Sequence, residues 1–375
     1  MDIVVLDKTT YQPLGLVEIY DSMIWNERFR KCGDFQLNMP IDTPAFSLLA
    51  IDNYLTLLDS DRVMIIEYMK LETNSSNGKR TVEFKGRSLE SILERRIVWS
   101  QTDLNGYLLT ELKRILTENL INPVDSSGNP MPERQISNFR FIDPDPSSET
   151  YQILSQIQIT CQYTGKTLYE VVTTMAEEYG FGWKITLSKT GTFDFELFTG
   201  TDRTFNTTED VNPVLFSPEF ENLSSSRVAY NVQKFKNITL VMGEDSGEAR
   251  KRITVWSGMD DSTAEPTGID RRELYTDARD LQSEREDGTV IPDEQYYASL
   301  KYRGQKKLAE VAITSAFDGE MENSIGPQYN KDFFIGDYVS VVNEYGFGSV
   351  AQVLEFIRSN SADGYSEDPS FAMIS

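Results

Sequence analysis

The chain has 375 residues, with 36 Lys and Arg against 59 Asp and Glu and no histidine, a formal net charge of −23. Lacking histidine, it has no Ser-His-Asp or Cys-His nucleophile system, no HExxH zinc site and no three-histidine metal centre, and Cys32 and Cys161 alone make neither a four-cysteine zinc module nor a disulfide framework. So acidic a balance opposes wrapping nucleic acid in a basic groove and lying on an anionic membrane surface.

The first hundred residues read as β. Ile3–Leu6 and Leu14–Tyr20 are short apolar-rich runs separated by a hairpin-like connection at 8–13, and Met23–Trp25 continues the pattern. From Gly33-Asp34 the chain alternates, with Phe35, Leu37 and Met39 on one face and Asp34, Gln36 and Asn38 on the other, until Pro40 stops the run. Arg62–Leu71 and Arg80–Gly86 flank a tip of turn formers at 74–78. Ser88 is placed to cap a short helix with Leu89, Ile92 and Leu93 on one side. Residues 1–100 are therefore expected to form a small twisted sheet or barrel with one helix.

Residues 101–200 change character. Leu108, Leu112, Ile115 and Leu116 recur at helical spacing and predict an amphipathic helix over Asn105–Leu120, stopped by Pro123. Stretches 124–134 and 143–148 read as loops. A second helix is expected from Thr167 to Tyr179, ended by Gly180, and then a hairpin of Trp183–Leu187 and Thr192–Phe198.

Residues 201–375 return to β. Arg227–Gln233 and Asn237–Met242 alternate, Arg250–Trp256 answers them across 244–247, and 257–292 is a polar excursion. Asp293–Val311 is a helix with Tyr297, Leu300, Gly304, Leu308 and Val311 facing inward. Tyr338–Val342 and Val350–Ile357 meet at 343–348 as the final two strands. Gly33-Asp34-Phe35 and Gly336-Asp337-Tyr338 each open an alternating strand, a faint echo between the two β-rich ends.

Apolar residues at 39% and aromatics at 11% describe a folded chain long enough for several domains with separate cores. The start, Met1–Lys8, has neither a basic segment nor a long apolar one, so no signal peptide is expected. No apolar run reaches the ~18 residues of a membrane span. The two thiols are expected to be buried and reduced.

Short motifs resolve into bland readings. Gly346-Phe347-Gly348-Ser349-Val350-Ala351 fits GxGxxA, but the Val350, Val353, Phe356 and Ile357 that follow favour a strand, so a hairpin turn is expected rather than a dinucleotide loop. Thr164-Gly165-Lys166-Thr167 resembles the end of a Walker A loop with Thr160 where its leading glycine belongs; Thr164 or Thr167 reads as a helix cap. Ser76-Asn77-Gly78-Lys79 matches SxxK in a loop tip and reads as a turn. Asp143, Asp145, Ser147 and Glu149 have calcium-loop spacing, but Ser148 stands at the glycine position and Pro144 and Pro146 stiffen the stretch. No catalytic, cofactor or metal residue emerges.

The segment Leu14–Phe29 (LGLVEIYDSMIWNERF), continued by Cys32–Pro40 (CGDFQLNMP), resembles the opening of a family of phage tail proteins. A second match is Gly86–Trp99 (GRSLESILERRIVW), preceded by Ile65-Ile66-Glu67, and a third is Gly336-Asp337-Tyr338-Val339 with Gly364-Tyr365 and Pro369-Ser370-Phe371 after it. The family is the baseplate hub or tail-associated protein of siphophages of Gram-positive bacteria, similar to the hub of contractile-tail phages.

The resemblance implies an α+β, predominantly β chain. It comprises two small tube-forming β-barrel-like domains, 1–100 and 201–375, with a peripheral mixed domain at 101–200. It implies a homotrimeric ring in the virion tail tip, docked on the distal tail protein and the tail tube or tape measure protein, with receptor-binding proteins of the baseplate as further neighbours. DNA would pass through without specific binding, and no cofactor or catalysis is implied. Longer relatives carry a fibre or a wall-degrading module; ending at Ser375 after the last β segment, this chain reads as the structural part alone. A tail-associated cell-wall hydrolase and a receptor- or saccharide-binding module remain the alternatives. In a tube, the acidity suggests carboxylates lining the channel and repelling phosphates. Without histidine, an opening triggered between about pH 6 and 7 is not expected.

Overall fold

The computed structural model describes residues 1–73, 78–208, 210–244, 250–284, 289–312, 314–321, 326–343, 345–346 and 348–374. The expected turns at 74–77 and 245–247, and Glu344 and Phe347 of the last hairpin, lie outside those residues. In chain order the N-terminal strands are β1 (Ile3–Leu6), β2 (Pro13–Val17), β3 (Ser22–Arg28), β4 (Asp34–Pro40), β5 (Tyr54–Leu57), β6 (Val63–Thr73) and β7 (Arg80–Ser88). Then come β8 (Thr102–Tyr107), α1 (Leu108–Leu116), β9 (Phe139–Phe141), α2 (Glu149–Leu154), β10 (Gln158–Tyr163), α3 (Leu168–Tyr179), β11 (Gly182–Leu187) and β12 (Phe193–Phe198). The remainder is β13 (Asp202–Arg203), β14 (Leu215–Phe216), β15 (Leu223–Asn231), β16 (Ile238–Met242), β17 (Arg252–Trp256), β18 (Glu273–Asp277), α4 (Asp293–Ala309), β19 (Thr314–Met321), β20 (Tyr338–Val342), β21 (Gly348–Ser361) and β22 (Gly364–Ile374).

The fold is α+β and predominantly β. A fourteen-stranded sheet runs β15-β19-β22-β21-β3-β4-β7-β6-β5-β1-β2, with β20 joined to β21 and β13 and β14 joined to β20. Both ends of the chain thus share one sheet. The alternation read in β4 is what buries Phe35, Leu37 and Met39 against Met23, Trp25 and Phe84. A second core joins the other face of β1, β5 and β6, through Val4, Tyr54 and Ile65, to α1, α3 and the β11–β12 hairpin, through Leu112, Val172 and Trp183.

Helix α3 begins with a capping box, in which Thr167 and Glu170 satisfy each other's backbone N–H groups, and ends at Gly180 with φ +74°; such a cap contributes ~1 kcal/mol. The expected helix at 105–120 starts later than its pattern suggested. Asn105, Gly106 and Tyr107 belong to β8, which pairs with β10 from Thr102↔Tyr163 to Tyr107↔Gln158, and a π turn at Thr117–Ile121 extends α1. Ser88 does not cap the 3₁₀ turn Leu89–Arg95; its hydroxyl instead accepts the Gly33 N–H at 2.7 Å, tying β7 to the start of β4.

The polar excursion hides a strand. β18 lies parallel to β16, which pairs antiparallel with β17, and α4 covers this three-stranded sheet. Gly304 lets α4 approach closely, since a Cβ there would stand 2.8 Å from Val241 and 2.9 Å from Val255. Tyr296, not Tyr297, is the fully buried tyrosine of α4; Leu300, Gly304 and Leu308 face inward as expected.

Candidate functional site: the polar face of the joined sheet

Strand β21 makes the junction. Its first part pairs with β20, from Gly348↔Val342 to Gln352↔Tyr338, and its second with β3, from Glu355↔Arg28 to Ser361↔Ser22. A bulge between Val353 and Glu355 marks the handover, where the Phe29 N–H donates to the Leu354 carbonyl at 2.9 Å and the Gly336 N–H to the Val353 carbonyl at 2.8 Å.

Beneath this seam lies a buried knot of charge. Arg62 Nη1 stands 2.5 Å from Glu90 Oε1, both side chains nearly inaccessible. Glu27 on β3 accepts from Trp25 Nε1 at 3.1 Å, Ser60 Oγ at 2.7 Å and Tyr329 Oη at 2.9 Å. Arg358 on β21 reaches Asp59 at 3.0 Å and lies over the Tyr329 and Phe356 rings, which stack with centroids 3.8 Å apart. Burial opposes the charge on Arg62, while Glu90, Glu27 and Asp61 hold it. These groups fasten the N-terminal strands to the C-terminal ones.

The opposite, solvated face reads off the register as cross-strand rows. One row is Ser361, Ser22, Asn38, Glu83 and Lys70; the next is Ser366, Ser359, Ile24, Gln36, Lys85 and Tyr68; a third is Asp368, Ile357, Asn26, Asp34 and Arg87, in which Asn26 is itself buried. Short polar side chains bond across strands: Asn38 Nδ2 to Ser22 Oγ at 3.0 Å, Gln36 Nε2 to Glu83 Oε1 at 2.8 Å, and Ser359 Oγ to Ser366 Oγ at 2.8 Å. Every cation in the rows has an acid: Lys85 with Glu83 at 2.9 Å, Lys70 with Glu72 at 2.5 Å, and Arg87 with Glu67 and Glu94 at 2.8 and 2.7 Å. Arg28, at the end of the seam, holds both Asp34 and, at 2.7 Å, Glu355. Phosphate recognition needs unpaired, clustered cations, and this face presents none among the described residues.

The same architecture occurs in known tail proteins. Prophage tail protein gp18 of Listeria monocytogenes matches over 99% of this chain and 94% of its own, at 11% identity and TM-score 0.52. The 43 kDa tail protein of prophage MuSo2 from Shewanella oneidensis matches over 100% and 98%, at 12% identity and TM-score 0.57. A tail protein of Neisseria meningitidis matches over 99% and 97%, at 14% identity and TM-score 0.53. Identities so low speak for the fold alone. No curated protein sequence matches the chain. The model of the Siphovirus ReqiPepy6 Gp37-like protein family matches residues 2–370. The chain belongs to that family.

The resemblance to siphophage tail proteins in Leu14–Pro40 and Gly86–Trp99 thus agrees with the family of the whole chain. In this Gp37-like protein the sequence motifs fall where chemistry is absent. Gly346 has φ +77° and Gly348 opens β21, antiparallel to β20, so the GxGxxA match is a hairpin. Thr167 is a helix cap. Ser76 and Asn77 of the SxxK match lie outside the described residues, and Lys79 Nζ stands 3.0 Å from Asp21. Asp145 spends its carboxylate on its own turn, accepting from Ser147 N and Oγ at 2.8 and 2.7 Å, and Ser148 caps α2. Among the described residues no group of acids and cysteines could hold a metal ion, and none of the helices is long and apolar enough to cross a membrane. Cys32 and Cys161 are both buried and not joined in a disulfide, and the Cys32 thiol lies 3.3 Å from the Tyr169 hydroxyl.

Sequence reasoning missed Glu178. At the end of α3 it sits in a cavity of about 1000 Å³ with Tyr179, Tyr302 and Lys306, between α3 and α4. Its Oε2 is buried without a hydrogen-bond partner, and burial pushes the carboxyl up to about 7. Burial thus moves one carboxyl toward neutrality in a chain that has no histidine. A signal existed: Val171, Met175 and Glu178 follow at i, i+4 and i+7, placing an acid on the apolar stripe.

Proposed function

We propose that this Gp37-like protein is a structural hub of the phage tail tip. Three copies close a ring that docks on the distal tail protein and continues the tube, and DNA passes along the polar face of the joined sheet. The observation that carries this reading is that face: β21 and β3 merge the two ends of the chain into one surface of short polar side chains whose cations are all paired. Such a surface offers phosphates no fixed partner. The rows hold acids and cations together rather than acids alone, so slippage there comes from pairing, while the net charge of −23 adds a longer-range repulsion. No catalytic step is assigned.

Light scattering tests the reading. The chain alone is expected at three times its 42.7 kDa mass, and mixed with the distal tail protein at a larger, defined mass. A stable monomer that ignores this partner would overturn it. Incubated with purified peptidoglycan, the protein is expected to release no fragments; sustained release would favour the hydrolase reading.

A further inference from the structure

Most arginines of this acidic chain are spent on carboxylates, as Arg28, Arg62, Arg87, Arg140, Arg203 and Arg303 show. Arg95, Arg96 and Arg134 differ. They converge on one shallow cavity of about 330 Å³, lined also by Ile97, Trp99, Met131 and the acids Glu94 and Glu133, yet among the described residues no carboxylate stands within ion-pair distance of any of the three. Glu94, beside them in sequence, is taken by Arg87 at 2.7 Å, and Glu133 lies exposed at the rim.

Arg134 is the centre of the patch. It is 8% exposed, and its Nη2 donates to the Ile97 carbonyl at 2.8 Å while its Nη1 has no partner at all. Arg96 spends its donors on backbone, with Nε to the Arg134 carbonyl at 2.6 Å and Nη1 to the Arg95 carbonyl at 2.8 Å. The Arg134 guanidinium lies 4.8 Å from the centroid of the Trp99 ring, and Trp99 is itself 53% exposed. Burial, and then the charge of Arg96, disfavour the Arg134 cation, while Glu133 favours it less strongly. Arg134 Nη1 is itself shut off from solvent, so the groups a partner can reach are the exposed Arg95 guanidinium, for a carboxylate, and the exposed Trp99 ring, for apolar contact; together they are the chemistry of an interface anchor.

We propose that the Arg95–Arg134–Trp99 patch is the contact by which one copy of this chain holds a carboxylate-bearing surface of the next, a proposal that rests on the ring reading above. Charge complementarity selects the occupant. Copies of −23 repel one another, and a cationic patch of this kind is what a second copy, rich in exposed acids, can meet favourably. The patch cannot face itself across a two-fold axis, because arginines would oppose arginines. The contact is therefore heterologous, the kind that closes rings.

The experiment compares oligomeric state by sedimentation and light scattering for the full chain and two variants. Arg95→Glu reverses an exposed charge that has no internal partner, and Trp99→Ser removes the exposed ring; both leave the thermal midpoint near that of the parent. The expected result is an assembled parent and a dissociation constant raised by on the order of 10–100-fold in each variant. An assembled parent with equally assembled variants overturns the patch and leaves the ring reading intact. A parent that stays monomeric at concentrations on the order of 100 μM overturns both.

Discussion

Glu90 and Glu178 are both buried acids of the same chain, and they are held in opposite ways. Glu90 is 1% exposed and lies against the Arg62 guanidinium at 2.5 Å, with the Ile185 N–H at 3.3 Å. Glu178 is less deeply placed, and it has no ion pair among the described residues; Oε2 of each acid is buried without a hydrogen-bond partner, so the ion pair is what separates them. The neighbours of Glu178 are phenols, a thiol and one amine: Tyr179 on its own helix, Cys161 and Tyr163 from β10, and Tyr302 and Lys306 from α4. The Tyr163 and Tyr302 hydroxyls lie 3.1 Å apart, the Tyr302 and Tyr179 phenols favour the charged form of Glu178 less than burial opposes it, and Lys306 donates to Thr174 at 3.1 Å. What fixes the charge of a buried acid is thus its partner more than its depth. The first acid belongs to the seam between the two ends of the chain; the second lines the cleft between α3 and α4.

The largest effect should come from breaking the paired acid. Arg62→Met leaves Glu90 and Glu27 buried without their shared cation and is expected to cost ~3–5 kcal/mol in chemical denaturation. Adding Glu90→Gln to that variant should recover part of the loss, because the stranded charge is gone. A loss below about 1 kcal/mol for Arg62→Met would show that the knot is solvated and that the contrast with Glu178 is false.

How much of this was legible beforehand follows the range of each interaction. Local signals carried through: the alternation of Phe35, Leu37 and Met39, the Thr167–Glu170 box, Gly180, and the β11–β12 hairpin. β18 was invisible, because in Glu273–Asp277 only Thr276 is fully buried and the run has no apolar alternation. The second half of β8, Asn105-Gly106-Tyr107, reads as the start of the helix, because its strand character comes only from pairing with β10, some fifty residues on. The polar face was illegible for the same reason. Ser22 and Ser359 share a surface only through the β3–β21 pairing, which no local pattern announces. Glu178 is legible in its spacing, but an acid near a helix end is ordinarily solvated, and only the packing of α4 over α3 encloses this one.

The unpaired acid should give the next effect, with a sign set by pH. Burial moves the folded-state value of Glu178 from an ordinary 4.5 up to about 7. Below pH 4.5 both folded and unfolded chains hold the proton. From there to about pH 7 the unfolded chain gives it up first, so the contribution of this group to stability falls by at most about 1.4 kcal/mol per pH unit and stays lost above. Glu178→Gln abolishes that fall. The variant should match the parent near pH 4 and exceed it by on the order of 1–3 kcal/mol at pH 8. Equal stabilities at both pH values would mean that Glu178 is solvated and that pairing does not separate the two acids.

The smallest effect sharpens the cause. Lys306 is the one cation that favours the charged form of Glu178, from across the cleft and without an ion pair. It is itself held below its usual value, by burial first and then by Arg303, Lys307 and Lys166. Lys306→Gln removes that distant attraction and leaves the burial unchanged. The pH at which the gap between the parent and Glu178→Gln curves stops growing is then expected to rise by less than about one unit when both are measured in the Lys306→Gln background. A larger rise would mean that Lys306 already acts as a partner in the manner of Arg62, and the two acids would differ in degree only. A fall would mean that burial is relieved by water entering where the lysine stem had packed, because Lys306 is half-buried and its methylenes line the same cavity as its amine.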